Sequence, residues 1–95
     1  KVLKQTGWSV AEVDLWEINE AFAMVTMFAI DAFSLDESKV NVNGGACALG
    51  HPLGSSGSRI IVTLIHALKR TGGKKGIAAL CIGGGEATAI AVELI

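Results

Sequence analysis

Apolar residues recur along the chain in two rhythms, one helical and one strand-like. Lys1 to Thr6 reads as the last turns of a helix, stopped by Gly7. Ser9, Val10, Ala11 and Glu12 have the form of a capping box and predict a single turn. Asp14 to Ile18 predicts a short strand. From Ala21 to Phe33 the spacing is helical. Phe22, Val25, Phe28 and Ala29 share one face, and Met24, Met27 and Ile30 fill the others. A helix apolar nearly all round is expected to be buried. Val40 to Asn43 predicts a brief strand. A long helix follows from near Ser55 to Arg70, with Ile60, Ile61, Leu64, Ile65 and Leu68 as its apolar stripe. Lys69 and Arg70 suit the negative end of its dipole, and Gly72 supplies the stop. Gly76 to Ile82 predicts a strand apolar on both faces, as in a covered sheet. Thr88 to Ile95 predicts a last strand, joined through Gly83-Gly84-Gly85. Helices alternating with strands, then two consecutive strands, predict an α/β fold with one hairpin-like edge.

Composition adds a question of cover. The chain has 95 residues, enough for one small domain. It is 51% hydrophobic, with a mean hydropathy of +0.51. A small domain has much surface per unit volume, so part of this apolar surface is expected to be covered by another domain or a subunit. The net charge of −1 has both signs scattered, so there is no basic footprint for nucleic acid. Two cysteines without CxxC spacing make neither a disulfide framework nor a zinc site, which fits a reducing compartment. No apolar run reaches the length of a membrane span. The longest, Ala21 to Phe33, is interrupted by Thr26 and Asp31. Lys1-Val2-Leu3-Lys4 has no apolar core behind it, so no signal peptide is predicted. The chain opens without Met and in mid-pattern, and is expected to be a piece of a longer protein. No internal repeat, linker or low-complexity tract is present.

Candidate chemistry lies in two glycine-rich segments, Asn43 to Gly57 and Cys81 to Gly85. Glycine lets the backbone turn sharply and approach a ligand. His51, between Gly50 and Pro52, is either a base or oxyanion donor aimed into a cleft, or a loop histidine bonded to backbone. His66, on a helix, reads as a surface or hydrogen-bond-satisfied residue rather than a catalytic one. Cys81 is either a small buried hydrophobe or a group at a strand exit, where sites form in α/β sheets and glycine N–H groups can hold an anion. Cys47, between Ala46 and Ala48, reads as packing. Asn19 follows a strand and opens a helix. It is either an N-cap or a residue at the ligand-binding rim. Glu20 fits the first-turn dipole. Gly45 to Gly50 has P-loop glycine spacing, but His51-Pro52 replaces the Lys and Ser/Thr. Gly83-Gly84-Gly85 leads into a strand rather than a helix, so no dinucleotide site is expected. No cluster has metal-ligand spacing.

Three blocks, in order, resemble the thiolase family: Asn19-Glu20-Ala21-Phe22; Asn43-Gly44-Gly45-Ala46 with Gly50-His51-Pro52 and Ser56-Gly57-Ser58-Arg59; and Cys81-Ile82-Gly83-Gly84-Gly85. The resemblance covers residues 1–95 and is to the C-terminal domain of a thiolase, incomplete on its N-terminal side. It implies a fold of two similar halves, each a five-stranded mixed sheet between helices, packed through helices such as Ala21 to Phe33. This chain would give four strands of the second half. The missing strand, before Lys1, would be central.

The resemblance also implies an activity. Thiolases move acyl groups between coenzyme A thioesters through an acyl-cysteine. His51 would take the proton of the nucleophilic cysteine. Cys81 would remove an α-proton from acetyl-CoA. His51, with a water held by Asn19, would stabilise the enolate oxygen. The Gly83 N–H would help a second oxyanion hole, and Ala21 and Phe22 would flank the pantetheine arm. Such chemistry needs a base and a preorganised partner for the enolate. No cofactor or metal is implied, because the coenzyme A thioesters are substrates. The implied partners are acetyl-CoA, acetoacetyl-CoA, an N-terminal half carrying the nucleophile, and further copies in a dimer or tetramer. The implied location is cytoplasmic, or the mitochondrial matrix in a eukaryote. The triple glycine resembles the acetoacetyl-CoA-forming type. The alternatives are a 3-ketoacyl-CoA thiolase of fatty-acid breakdown and a non-catalytic coenzyme A-binding or assembly module. Two features depart from the family pattern. The acyl-accepting cysteine is absent, since Cys47 has the wrong context, and Ala87 stands where many members have Gly. The segment by itself is expected to be inactive.

Overall fold

Strand alternation sorts the core into two layers. In the computed structural model, which describes residues 1–95, β1 (Leu15–Ile18) sends Leu15 to one side and Trp16 and Ile18 to the other. Leu15 packs with Ile60, Leu64, Ala67 and Leu68 of the long helix α4 (Ser56–Thr71). Trp16 and Ile18 pack with Val13, Leu35, Val40 and Ile77. That second cluster is covered by Val2 and Leu3 of α1 (Val2–Thr6) and by Val25, Ala29 and Ile30 of α2 (Ala23–Phe33). Helices therefore lie on both faces of the sheet, as the α/β reading requires.

The sheet itself has three strands in the order β1-β2-β3. β1 runs parallel to β2 (Lys75–Ile82), with Ile18 opposite Ala79. β2 runs antiparallel to β3 (Glu86–Glu93), with Ile82 opposite Glu86 across the glycine turn. Gly84 and Gly85 have φ of 86° and 78°, a left-handed path that suits glycine. The expected hairpin edge is thus present. The expected central place for a strand before Lys1 is not. β1 and β2 pair directly, as do β2 and β3, so a further strand has only the outer edges to join.

Val40 to Asn43 does not form a strand. Val40 makes one parallel bridge to Trp16, and Asn41 then turns away at a φ of 47°. The reason lies in the Asn41 side chain. Its Oδ1 accepts the Ile18 N–H at 2.8 Å, and its Nδ2 donates to the Ile18 carbonyl at 2.8 Å. One amide side chain thus does what the next strand residue would have done.

Two expected burials are also overturned. Of α2 only Thr26 is buried, while Met27 and Phe28 are 67% and 65% exposed. A helix apolar all round has two faces to cover, and this chain covers one. β2 is buried at Ile77 and Ala78 but exposed at Cys81 and Ile82, which lie past its last residue packed against a core cluster, Leu80. The turn at Val10–Glu12 forms as expected, with Ser9 N–H and Oγ both donating to the Glu12 carboxylate at 2.8 and 2.9 Å. No helix is long and apolar enough to cross a membrane.

Candidate functional site

Asn19 stands one residue past β1. Its N–H donates to the Ala79 carbonyl at 2.9 Å, which extends the parallel ladder by a step. The side chain is fully buried on the α4 side of the sheet. It is not an N-cap. α2 begins at Ala23 with Phe22 at the cap position, so the Asn19 amide is free for other work. That amide meets His51, with Nδ2 3.5 Å from Nε2. Asn19 Oδ1 is buried without a partner. A buried acceptor left open is costly unless a water or ligand fills it.

His51 lies in the loop between α3 (Ala46–Leu49) and α4. Its other ring nitrogen, Nδ1, is 2.5 Å from Ser56 Oγ, at the first residue of α4. Both ring nitrogens therefore face side chains, and the backbone-bonded reading of His51 falls away. Ser56, quoted in the sequence only as part of a block, is a contact that the residue pattern did not single out.

Glu20 holds the two loops together rather than serving a helix dipole. One carboxylate oxygen accepts the Cys47 N–H at 2.8 Å, and the other accepts Asn41 Nδ2 at 3.2 Å. The carboxylate lies flat against Gly45, where an added Cβ would come within 2.2 Å of Glu20 Cδ. Burial alone would raise the Glu20 pKa, but the bonds from Cys47 and Asn41 outweigh it and hold the carboxyl below its ordinary value. Cys47 is exposed, which corrects its reading as a packing residue. Its hydrogen bond to Glu20, helped by partial desolvation, pushes its thiol pKa up, the wrong direction for a nucleophile.

Behind Asn19, Glu17 is 1% exposed and paired with Arg59 at 3.4 Å. Burial pushes the Glu17 carboxyl up to about 7 against the pull of Arg59, with the charge of Glu20 adding to the rise. The signal for this pair was a charge set between Trp16 and Ile18 inside a strand.

Cys81 lies at the C-terminal end of β2, beside the end of β1 that delivers Asn19. Its thiol is free and exposed, and makes no hydrogen bond to His51 or Asn19. Gly83 opens the hairpin turn that follows. The ends of parallel strands are where α/β sheets place their sites. The structure thus joins Asn19 to His51 by contact and sets Cys81 at the same sheet edge. Ala21 N–H donates to the Asn19 carbonyl at 3.1 Å, and Phe22 is 72% exposed beside it. His66 is exposed on α4. No group of three His, Cys, Asp or Glu side chains is clustered for a metal ion.

Comparison with known proteins identifies the family. A family model described as the thiolase C-terminal domain matches residues 1–94. The chain is 55% identical to the cytosolic acetyl-CoA acetyltransferase of Mus musculus, over 98% of this chain and 23% of that protein. It is 54% identical to the acetyl-CoA acetyltransferase of Chromobacterium violaceum, over 98% of this chain and 24% of that one. Among solved structures, the Bacillus anthracis acetyl-CoA acetyltransferase superposes with a TM-score of 0.94 at 50% identity, over 98% of this chain and 24% of its own. The human mitochondrial 3-ketoacyl-CoA thiolase, also solved with CoA, superposes at 0.93 with 50% identity over the same shares. The chain spans about a quarter of the length of the relatives it matches. By the match of almost its whole length, this chain belongs to the thiolase C-terminal domain family.

Proposed function

We propose that this chain carries the acid–base side of an acyl-transfer site for coenzyme A thioesters, working as in an acetyl-CoA acetyltransferase. The observation that carries the reading is the Asn19–His51 contact at the sheet edge where β2 delivers Cys81. The nucleophile is a cysteine outside this chain. His51 takes its proton, and the thiolate attacks the acetyl carbonyl, with coenzyme A leaving as a thiolate that takes the proton of Cys81. Cys81, as thiolate, removes a proton from the methyl carbon of a second acetyl-CoA. The enolate oxygen rests against His51 and a water on Asn19 Oδ1, the buried acceptor with no protein partner. The enolate carbon forms the new bond to the acyl-cysteine carbonyl. The carbon–sulfur bond to the enzyme breaks, and the proton held by His51 returns to that sulfur. Thiolysis is the same path reversed. The Gly83 N–H supports the acyl oxygen, and Ala21 and Phe22 border the thioester arm.

A second reading, thiolysis of longer 3-ketoacyl-CoA, is favoured by the equally high similarity to the human mitochondrial enzyme. Rates with acyl chains of increasing length separate the two readings. The acid–base assignment is tested in the full-length protein with Cys81→Ala. Exchange of the acetyl-CoA methyl protons and condensation should slow by about 10²- to 10⁴-fold, with acylation affected far less. Equal loss in both half-reactions would remove Cys81 from this role.

A further inference from the structure

Ser56 is 1% exposed, and its hydroxyl has two polar neighbours. His51 Nδ1 lies 2.5 Å away, and the Pro52 carbonyl oxygen lies 3.3 Å away. A hydroxyl has one proton to give, and a carbonyl oxygen can only accept. When the proton goes to Pro52, the hydroxyl oxygen accepts from Nδ1, and both contacts are bonds. When it goes to Nδ1, the Pro52 contact is left with two oxygens and no proton. The first arrangement satisfies more buried groups, and it requires a proton on Nδ1. The other side of the ring agrees. Asn19 Nδ2 can only donate, so Nε2 at 3.5 Å has to accept.

We propose that Ser56 is a positioning residue that holds His51 in the Nδ1-protonated tautomer, so that Nε2 keeps its lone pair toward the site. The inference rests on the reading of His51 as the base of acyl transfer. Which imidazole nitrogen carries the proton is set by the bond the other makes. An unconstrained neutral imidazole favours the proton on Nε2, which here would block proton acceptance. Ser56 is a rigid anchor, since α4 is fixed to the sheet by Ile60, Leu64 and Leu68.

The test uses the full-length protein, as wild type, Ser56→Ala and His51→Gln. Acylation by acetyl-CoA is timed, and ¹⁵N-histidine NMR reads the tautomer. The His51 signals are those missing from His51→Gln. Wild-type His51 should show a protonated Nδ1 and a bare Nε2. In Ser56→Ala the proton should move toward Nε2, and the acylation rate should fall about 10- to 100-fold, a part of the roughly 10²- to 10⁴-fold that a positioned base contributes, with half-saturating acetyl-CoA unchanged. A Ser56→Ala protein with the wild-type tautomer overturns the inference, whether fast or slow, provided that His51→Gln is inactive. A His51→Gln protein that acylates at the wild-type rate overturns the assignment of the base, and this inference with it.

Discussion

Glu17 and Glu20, three residues apart, show how surroundings rather than residue type set a carboxyl's behaviour. Glu20 has donors on both oxygens and is held ionised. Glu17 has a buried oxygen with no partner and one long ion pair, and burial raises it from 4.5 to about 7. The consequence has a definite sign. Between these values the folded chain keeps the Glu17 proton while the unfolded chain has lost it. The contribution of Glu17 is therefore full below pH 4.5 and is lost as pH rises toward 7. In the full-length protein, the thermal midpoint of wild type should fall relative to Glu17→Gln across this window. Parallel pH profiles for the two proteins would show that the carboxyl is ionised throughout and that Arg59 compensates its burial.

At the scale of elements, much of this fold was legible because helix and strand periods differ. α4 and β2 lie within a residue or so of their expected bounds, since an apolar stripe with a basic end and a glycine stop has one reading. Val40 to Asn43 departs from its expected strand because strand propensity does not reveal that a single Asn side chain will replace the ladder. Of the candidate site, Asn19, His51 and Cys81 stand out in the sequence through the family blocks, and the structure brings the first two into contact. The Ser56 contact and the Glu20 staple depend on two loops meeting in space, which no local pattern encodes. Glycine spacing has the same limit. Gly76 lies under α4, and a Cβ there would come within 2.7 Å of Leu64 Cδ1, a side chain with no exposure. Gly57, in the first turn of α4, has open space. Gly76→Ala should destabilise by about 1–3 kcal/mol through overpacking. Gly57→Ala should be neutral or stabilise by up to about 1 kcal/mol from helix propensity. Denaturation midpoints of the two variants check this, and an equal response would mean that α4 shifts freely over β2.

At the scale of the whole chain, the limiting factor is cover rather than sheet continuity. The sheet has no gap, and its superposition at 0.94 on a much longer relative leaves no room for a strand between neighbours, which would part them by about 4.8 Å. What is missing is burial. Only 19 of 95 residues are buried, and Met24, Met27, Phe28 and Phe33 of α2 stand exposed with Phe22 beside them. A soluble monomer rarely leaves an apolar patch beyond about 300–600 Å² open. β3 adds an edge with nothing paired to its outer side, a template for association. Whole-domain stability is only about 5–15 kcal/mol, so little apolar surface can be forgone. The 95 residues expressed by themselves should therefore associate, bind a hydrophobic dye and show no thiolysis. Sedimentation and a thermal scan decide the matter. A monomer with a sharp, reversible transition would show that the two existing core clusters suffice and that α2 needs no further cover.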